Sequence, residues 1–481
     1  MKRKNSARQM SSANVPMPDL QASSDAEEAF LLRERVAAVV ARERASFHTP
    51  GHKGRVEAFS SKRNLNLDIG FDVTELPGLD DLSRPEGILL QLEERLAKLF
   101  GARESFISVN GASACLMASL MAAASLGKRI LVPANLHRSA VSGLALSGLE
   151  PVWYQPQWNS DFGFFEEVSP AAIEKALKEN AVSALLLVSP TYQGAMSDVA
   201  AISSLCRKHN VLLIVDEAHG AHLLCDEILP SSAMMWADIV VHSMHKTLPG
   251  LTQTGVLHIG NHSPFALNNL RSLLTMVQSS SPSYPLMVSI EGIVDYLETD
   301  AGIAKLWSAT ELSEKLRNGA ERAERYEIYE PRNGEPWHVL IRPKFETDFQ
   351  RELQSRGVGI EAMFGRAALF LMGTGNNFDD LFLTVDALRD ISEGATSAGS
   401  NVQKLDAPPL FKQAMSPAAV LRLPSDVVRI ENALGRVSSE CIAPCPPGTP
   451  VVVPGQFIEK ESLAYLLQFT GIRSLRVVQK I

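Results

Sequence analysis

The chain has 481 residues, 45% of them hydrophobic and 21% charged, which suits two or three domains with a large buried core and argues against wholesale disorder. A formal net charge of −8 offers no basic face for a phosphate backbone, so no nucleic-acid partner is expected. No long apolar span and no secretory signal core occur, so no membrane partner is expected and the predicted location is cytoplasmic. The five cysteines (Cys115, Cys206, Cys225, Cys441, Cys445) are scattered and frame no disulfide set. Cys441 and Cys445 are close, but no second pair completes a zinc site, and no metal is expected.

Residues 1–28 begin basic (Lys2, Arg3, Lys4) and continue polar, and are read as a disordered tail. Helical patterns are then predicted over Glu86–Phe100, Ser113–Leu126, Pro170–Lys178 and Ala200–His209. Between them lie strand candidates Arg129–Val132, Ser183–Val188, Val211–Val215, Ala237–Val241 and Gly255–Ile259. Runs such as SALLLVS and VLLIVD lack polar alternation, so both strand faces should be buried, as in a mostly parallel sheet covered by helices on both sides. The fold class read from this is α/β, with a large domain over 29–290. Residues 291–390 read as a small α+β domain, largely helical from Glu291 to Arg325 and followed by strands at Trp337–Arg342 and Ala368–Gly373. The Gly/Ser/Ala/Asn/Pro-rich stretch 391–409 is predicted as a linker, and 410–481 as a C-terminal domain ending in a helix and then a strand.

In open α/β sheets, ligands collect beyond the carboxyl ends of the strands. Asp216 ends one buried run, with His219 and His222 just beyond; Ser243, His245 and Lys246 follow the next. Upstream, Asn110–Ser113 leads into a helix whose free N–H groups suit a phosphate. A pyridoxal cofactor needs a lysine amine, a carboxylate for its ring nitrogen, phosphate donors and a flat neighbour. Asp216, Lys246 and the helix start meet three of these needs together. Taken singly, a strand-end aspartate is ordinarily a cap and a lysine after a strand ordinarily a solvated charge. The His219/His222 and His242/His245 spacings match no strong zinc pattern.

The motifs FHTPGHKG (47–54), DVTELPGLDDL (72–82), SPTYQG (189–194), VDEAHGAH (215–222), HSMHKTLPGLTQTG (242–255), SPSYPLM (281–287) and APCPPGTPVVVPGQ (443–456) occur in order. Together they resemble the ornithine/lysine/arginine decarboxylase family, in its short form without the extra N-terminal domain of the large enterobacterial enzymes. The resemblance implies a fold-type-I large domain, pyridoxal 5'-phosphate as cofactor and decarboxylation of a basic amino acid, with arginine and lysine ahead of ornithine. It makes Lys246 the Schiff-base lysine and Asp216 the partner of the pyridine nitrogen. His137, in LHRSA, stacks on the ring; Ser113, Ser243 and His245 contact the phosphate; Ala112 and Ala218 line the cofactor; His219 lies on the substrate side. Either His219 or Lys246 would protonate the product carbon. A homodimer or higher homo-oligomer is implied, because family sites are completed across an interface.

The chain departs from the family pattern in several places. Ala112 stands where a second hydroxyl is common, Cys115-Leu116 where Gly-Asn is usual, Arg138 where lysine is usual, and Ser83 where a histidine is common. Met363 replaces a customary glutamate, with Glu361 displaced two positions, and Gln456 stands where glutamate is frequent. Carboxylates are the natural partners of a basic substrate tail, so the last two changes bear on substrate identity. Transamination on the same fold, or a degenerate non-catalytic relative, are the competing readings.

Overall fold

The computed structural model describes residues 31–42, 50, 69–225, 227–395, 404–445, 448–469 and 471–479. The predicted N-terminal tail and, Pro50 excepted, the FHTPGHKG segment lie outside the described residues.

A seven-stranded sheet forms the centre, from β1 (Ala102–Ser108), β2 (Arg129–Pro133), β3 (Glu150–Tyr154), β6 (Ala184–Val188), β7 (Leu212–Asp216), β8 (Ile239–Ser243) and β9 (Gly255–Gly260). Trp158–Asn159 (β4) and Phe164–Phe165 (β5) form a small separate hairpin. The sheet order is β1-β9-β8-β7-β6-β2-β3; β9 runs antiparallel to both its neighbours and the remaining pairings are parallel. The apolar strands explain themselves by period two. Leu186, Ile214 and Val241 enter one core and Leu187, Val215 and Val240 the other, so each face is sealed. Helices α3 (Gly111–Ala123) and α4 (Arg138–Ser147) supply residues such as Leu116, Leu120 and Leu144 to the first core; α5 (Pro170–Glu179) and α6 (Val199–His209) supply Ile173, Leu177 and Ile202 to the second. Helices α1 (Leu32–Arg42) and α2 (Ile88–Phe100) join a third core with the small domain.

After α7 (Leu270–Met276) and α8 (Tyr284–Leu297), the long helix α9 (Asp300–Arg322) leads to an antiparallel four-stranded sheet. Its order is β10-β11-β13-β12: Tyr326–Ile328, His338–Pro343, Ala367–Leu371 and Ala362–Phe364. Helices α10 (Phe349–Ser355) and α11 (Phe378–Gly394) complete this unit. A last unit, with α12 (Pro417–Val420), β14 (Ser425–Arg429), α13 (Lys460–Phe469) and β15 (Ser474–Val478), has its own small core around Ile430, Val452, Leu466 and Leu475.

Three features differ from the sequence expectation. Strands β1 and β3 and helix α4 were not anticipated. The 290/291 boundary falls within α8, whose Glu291 side chain accepts from the first backbone N–H groups of α1. The stretch 391–409 begins as the end of α11, and its later part is pinned: Trp158 donates to the Leu405 carbonyl at 2.8 Å and Gln155 to that of Pro408 at 3.0 Å.

Leu186 is 0% exposed within the sheet and Leu146 is 57% exposed on α4. Leu186→Ala should therefore lower the unfolding free energy by about 3 kcal/mol, read in reversible denaturant titration, whereas Leu146→Ala should change it by less than about 0.5 kcal/mol.

Candidate active site

Parallel pairing brings Val188, Asp216 and Val241 side by side at the carboxyl ends of β6, β7 and β8. Asp216 is the last residue of β7, and its Oδ1 accepts from the Ala218 N–H at 3.2 Å. Beyond β8 the chain makes a tight loop. Met244 N–H donates to the Thr254 carbonyl at 3.1 Å and Gly250 N–H to the Met244 carbonyl at 3.0 Å. A Cβ at Gly250 would lie 2.6 Å from that carbonyl oxygen, so only glycine closes this loop. His245 and Lys246, in this loop, line one cavity with Asp216.

On the other side, α3 begins at Gly111, whose φ of +70° is in the left-handed region. Gly255 permits this start to approach β9, since a Cβ there would meet Gly111 C at 2.5 Å and Ala112 N at 2.6 Å. Asn110, the N-cap, makes no capping bond; its Oδ1 accepts instead from Ser279 N–H at 3.1 Å. The first-turn N–H groups of α3 are left for an anion.

These elements enclose a cavity of about 420 Å³. Each of the nine residues singled out from sequence lines it: Ala112, Ser113, His137, Asp216, Ala218, His219, Ser243, His245 and Lys246. Asn135, Tyr192, Thr252, Gln253 and Thr449 line it too and were not singled out. Tyr192, Thr252, Gln253 and Thr449 sit inside recognised motifs, which was the available signal; Asn135 carried none beyond standing just before LHRSA. Asn135 Oδ1 is buried without a hydrogen-bond partner, an acceptor that a ligand O–H or N–H would satisfy.

Burial sets the electrostatics. It lowers the Lys246 amine below the ordinary lysine value, against the opposing pull of Asp216 and then Glu361. His137 is lowered chiefly by burial, with Asp216 opposing. Its Nδ1 accepts from Ser139 N–H at 3.2 Å and lies 2.7 Å from Ser139 Oγ, so His137 caps α4. Gly448, from the C-terminal unit, packs on the same ring: a Cβ there would sit 3.0 Å from Cδ2 and Nε2. Burial also lowers His245, whose Nδ1 lies 3.0 Å from the Thr254 carbonyl. Among the described residues, no three His, Cys, Asp or Glu side chains group as a metal site, and no helix is long and apolar enough to cross a membrane.

A second cavity, of about 220 Å³, adjoins the first and shares Asn135, Tyr192 and Thr449 with it. Trp158, Phe164, Phe165, Phe364, Phe411 and Tyr465 make it largely aromatic. Gln456 lies on its wall, yet its side chain is buried and its Oε1 accepts from Val453 N–H at 3.2 Å, so it holds a turn. Met363 packs against apolar core, whereas Glu361 accepts from the Tyr192 hydroxyl beside the first cavity.

The lowered Lys246 amine has a stability consequence. Below the ordinary lysine pKa the unfolded chain binds more protons at this position than the folded one, so stability rises with pH up to that value. Lys246→Met should remove this contribution. The variant, free of cofactor, should be at least as stable as the parent at neutral pH and show a flatter rise toward alkaline pH in thermal unfolding.

A model of the Orn/Lys/Arg decarboxylase major domain matches residues 32–340, and one of that family's C-terminal domain matches 401–475. The chain is 32% identical over 444 residues to YaaO, an uncharacterized protein of Bacillus subtilis, covering 89% of this chain and 92% of that protein. It is 29% identical over 443 residues to the arginine decarboxylase of Bacillus anthracis, covering 87% and 89%. In fold it is similar to the constitutive lysine decarboxylase of Escherichia coli, with a TM-score of 0.77 at 19% identity over 93% of this chain and 82% of that one. With both domain models matched in order over most of its length, this chain belongs to the Orn/Lys/Arg decarboxylase family.

Proposed function

We propose that the protein is a pyridoxal 5'-phosphate-dependent decarboxylase that converts a basic amino acid, arginine or lysine before ornithine, to the corresponding amine and CO2. The observation that carries this reading is the meeting of Lys246, Asp216 and the uncapped start of α3 around one cavity. The residues present fit the cofactor. The α3 amides with Ser113, Ser243 and His245 would hold its phosphate, and His137 and Ala218 would flank its ring. Asp216 would keep the pyridine nitrogen protonated, and Asn135 Oδ1 offers an unpartnered acceptor.

Bound there, the pyridoxal ring supplies an electron sink for the pair left when the α-carboxylate departs as CO2. Asp216, itself buried, favours that flow as a fixed negative charge. Burial keeps a larger share of the Lys246 amine neutral, the nucleophilic form. His219 or Lys246 then delivers a proton to the product carbon. Glu361, held by the Tyr192 hydroxyl and close enough to act on Lys246, is the carboxylate best suited to a basic substrate tail. A cytosolic homodimer, with amine production feeding polyamine synthesis, belongs to the same reading.

Purified protein supplied with cofactor and each amino acid in turn should release CO2 and the matching amine from arginine or lysine. Release of a keto acid instead would select transamination. Lys246→Ala should lose the visible absorbance of lysine-linked pyridoxal and at least about a hundredfold in kcat; an unchanged spectrum contradicts the assignment. Glu361→Gln should raise KM for the basic substrate by about tenfold or more, the loss expected for one charge-assisted bond, with kcat little changed.

A further inference from the structure

Tyr192 stands where three cavities meet. It lines the Lys246–Asp216 cavity and the adjoining aromatic one, and its hydroxyl donates to Oε1 of Glu361. Glu361 lines a third cavity, of about 380 Å³, and Lys246 is on the wall of this one as well as of the first. The Tyr192–Glu361 bond spans 169 positions of sequence and joins the large domain to the small one.

The tyrosine is held by its own turn. Thr191 N–H donates to the Ala195 carbonyl at 2.8 Å, Gly194 N–H to that of Thr191 at 2.9 Å, and Ala195 N–H to Thr191 Oγ1 at 3.1 Å. Glu335 N–H pins the turn to the small domain by donating to the Gly194 carbonyl at 3.1 Å. The Tyr192 ring packs edge-on to His219, with centroids 4.8 Å apart at 68°, and lies 6.0 Å from the Phe364 ring. Burial raises the phenol above its ordinary value and Glu361 adds to this, so the hydroxyl stays a donor. Glu361, by contrast, is exposed just before β12. Its backbone is fixed, since its N–H donates to the Leu369 carbonyl at 2.9 Å, but an exposed glutamate side chain is rich in rotamers. Among the described residues only Tyr192 bonds its carboxylate, and it does so through Oε1, which leaves Oε2 open.

The third cavity suits a basic tail. Leu312, Leu316, Phe370 and Leu381 give it an apolar wall for methylene groups. Asp380 lines it too, but its Oδ2 takes Asn377 N–H at 3.1 Å and Asn376 Nδ2–H at 3.2 Å in the cap of α11. The aromatic cavity has no charged residue on its wall. A substrate amine that takes the place of the Lys246 amine starts its carbon chain beside the third cavity, where Glu361 is the carboxylate left to meet a cation.

We propose that Tyr192 is the positioning residue for substrate specificity: its hydroxyl locks the Glu361 carboxylate so that Oε2 is presented to the cationic tail. This rests on the decarboxylase reading above, with Glu361 as partner of the tail. Without that bond the tail itself would have to order Glu361, and the entropy lost in doing so would weaken binding. The lock acts through the Glu361 charge alone, so an amino acid with an uncharged tail of similar length does not feel it.

Binding is read from the absorbance of lysine-linked pyridoxal, which changes when an amino acid displaces Lys246, in stopped-flow titration of the holoenzyme with arginine, lysine and norleucine. Tyr192→Phe keeps the ring and removes the donor; Glu361→Asp keeps the charge and draws it back from the hydroxyl. Each should raise the apparent Kd of the better-bound basic amino acid about fivefold or more, with norleucine within about twofold of the parent. The double variant should be within about twofold of the weaker single one, because both remove the same interaction. In turnover the loss should fall on KM, with kcat within about threefold. Should one variant not fold, the other carries the same test. Equal losses for norleucine and the basic amino acid are a packing effect and overturn the proposal, as do an unchanged Kd or losses that multiply in the double variant. A parent that binds neither arginine nor lysine better than norleucine, or that holds no pyridoxal, overturns it as well. A parent that binds a basic amino acid in this way but releases no CO2 defeats the decarboxylase reading alone, and the Kd values still decide the role of Tyr192.

Discussion

Everything at the site depends on the parallel pairing of β7 with β8, which sets Asp216 beside Val241 and starts the Lys246 loop one strand away. That pairing is held by apolar residues sealed on both faces of the sheet, Ile214 and Val241 toward one core and Val215 and Val240 toward the other. A one-residue slip would exchange these faces and turn Asp216 away from the cavity. The energy that fixes the register is thus hydrophobic, and the chemistry inherits its precision from it.

The same alternation separates two adjacent carboxylates. Asp216 opens to the cavity, while Glu217 turns inward, meets Ser232 Oγ at 2.5 Å and His242 Nε2 at 2.7 Å, and receives Ala233 N–H at 2.8 Å. His242 continues to His258 at 3.1 Å and His258 to Ser105 at 2.7 Å, so this chain of bonds ties β8, β9 and β1 together below the site. Glu335 plays a comparable part on the other side, joining His222 beyond β7 to His338 of the small domain. Each buried carboxylate is surrounded by donors, which is the condition under which its burial is tolerated.

Much of this was legible in the sequence because its signal is local. VLLIVD and IVVHS are runs without regular alternation, and they form the strand that ends in Asp216 and the strand that leads into the Lys246 loop. The start of α3 was legible from Asn-Gly ahead of a small-residue helix. β3 was not, since EPVWY mixes proline, aromatics and an exposed glutamate at the sheet edge, and α4 was masked by its own glycine and serines. The His219–His338 contact spans 119 positions, and no short pattern announces it. The later part of 391–409 shows the same limit: Gly, Ser and Pro composition says nothing of the Trp158 and Gln155 donors that meet the Leu405 and Pro408 carbonyls.

The proposed function requires that the Lys246 amine, and no other, carries the cofactor. Incubation of the purified chain with pyridoxal 5'-phosphate, reduction with borohydride and peptide mass mapping tests it directly. A single phosphopyridoxyl group on Lys246 is the expected result. A label on another lysine, or none at all, would contradict it.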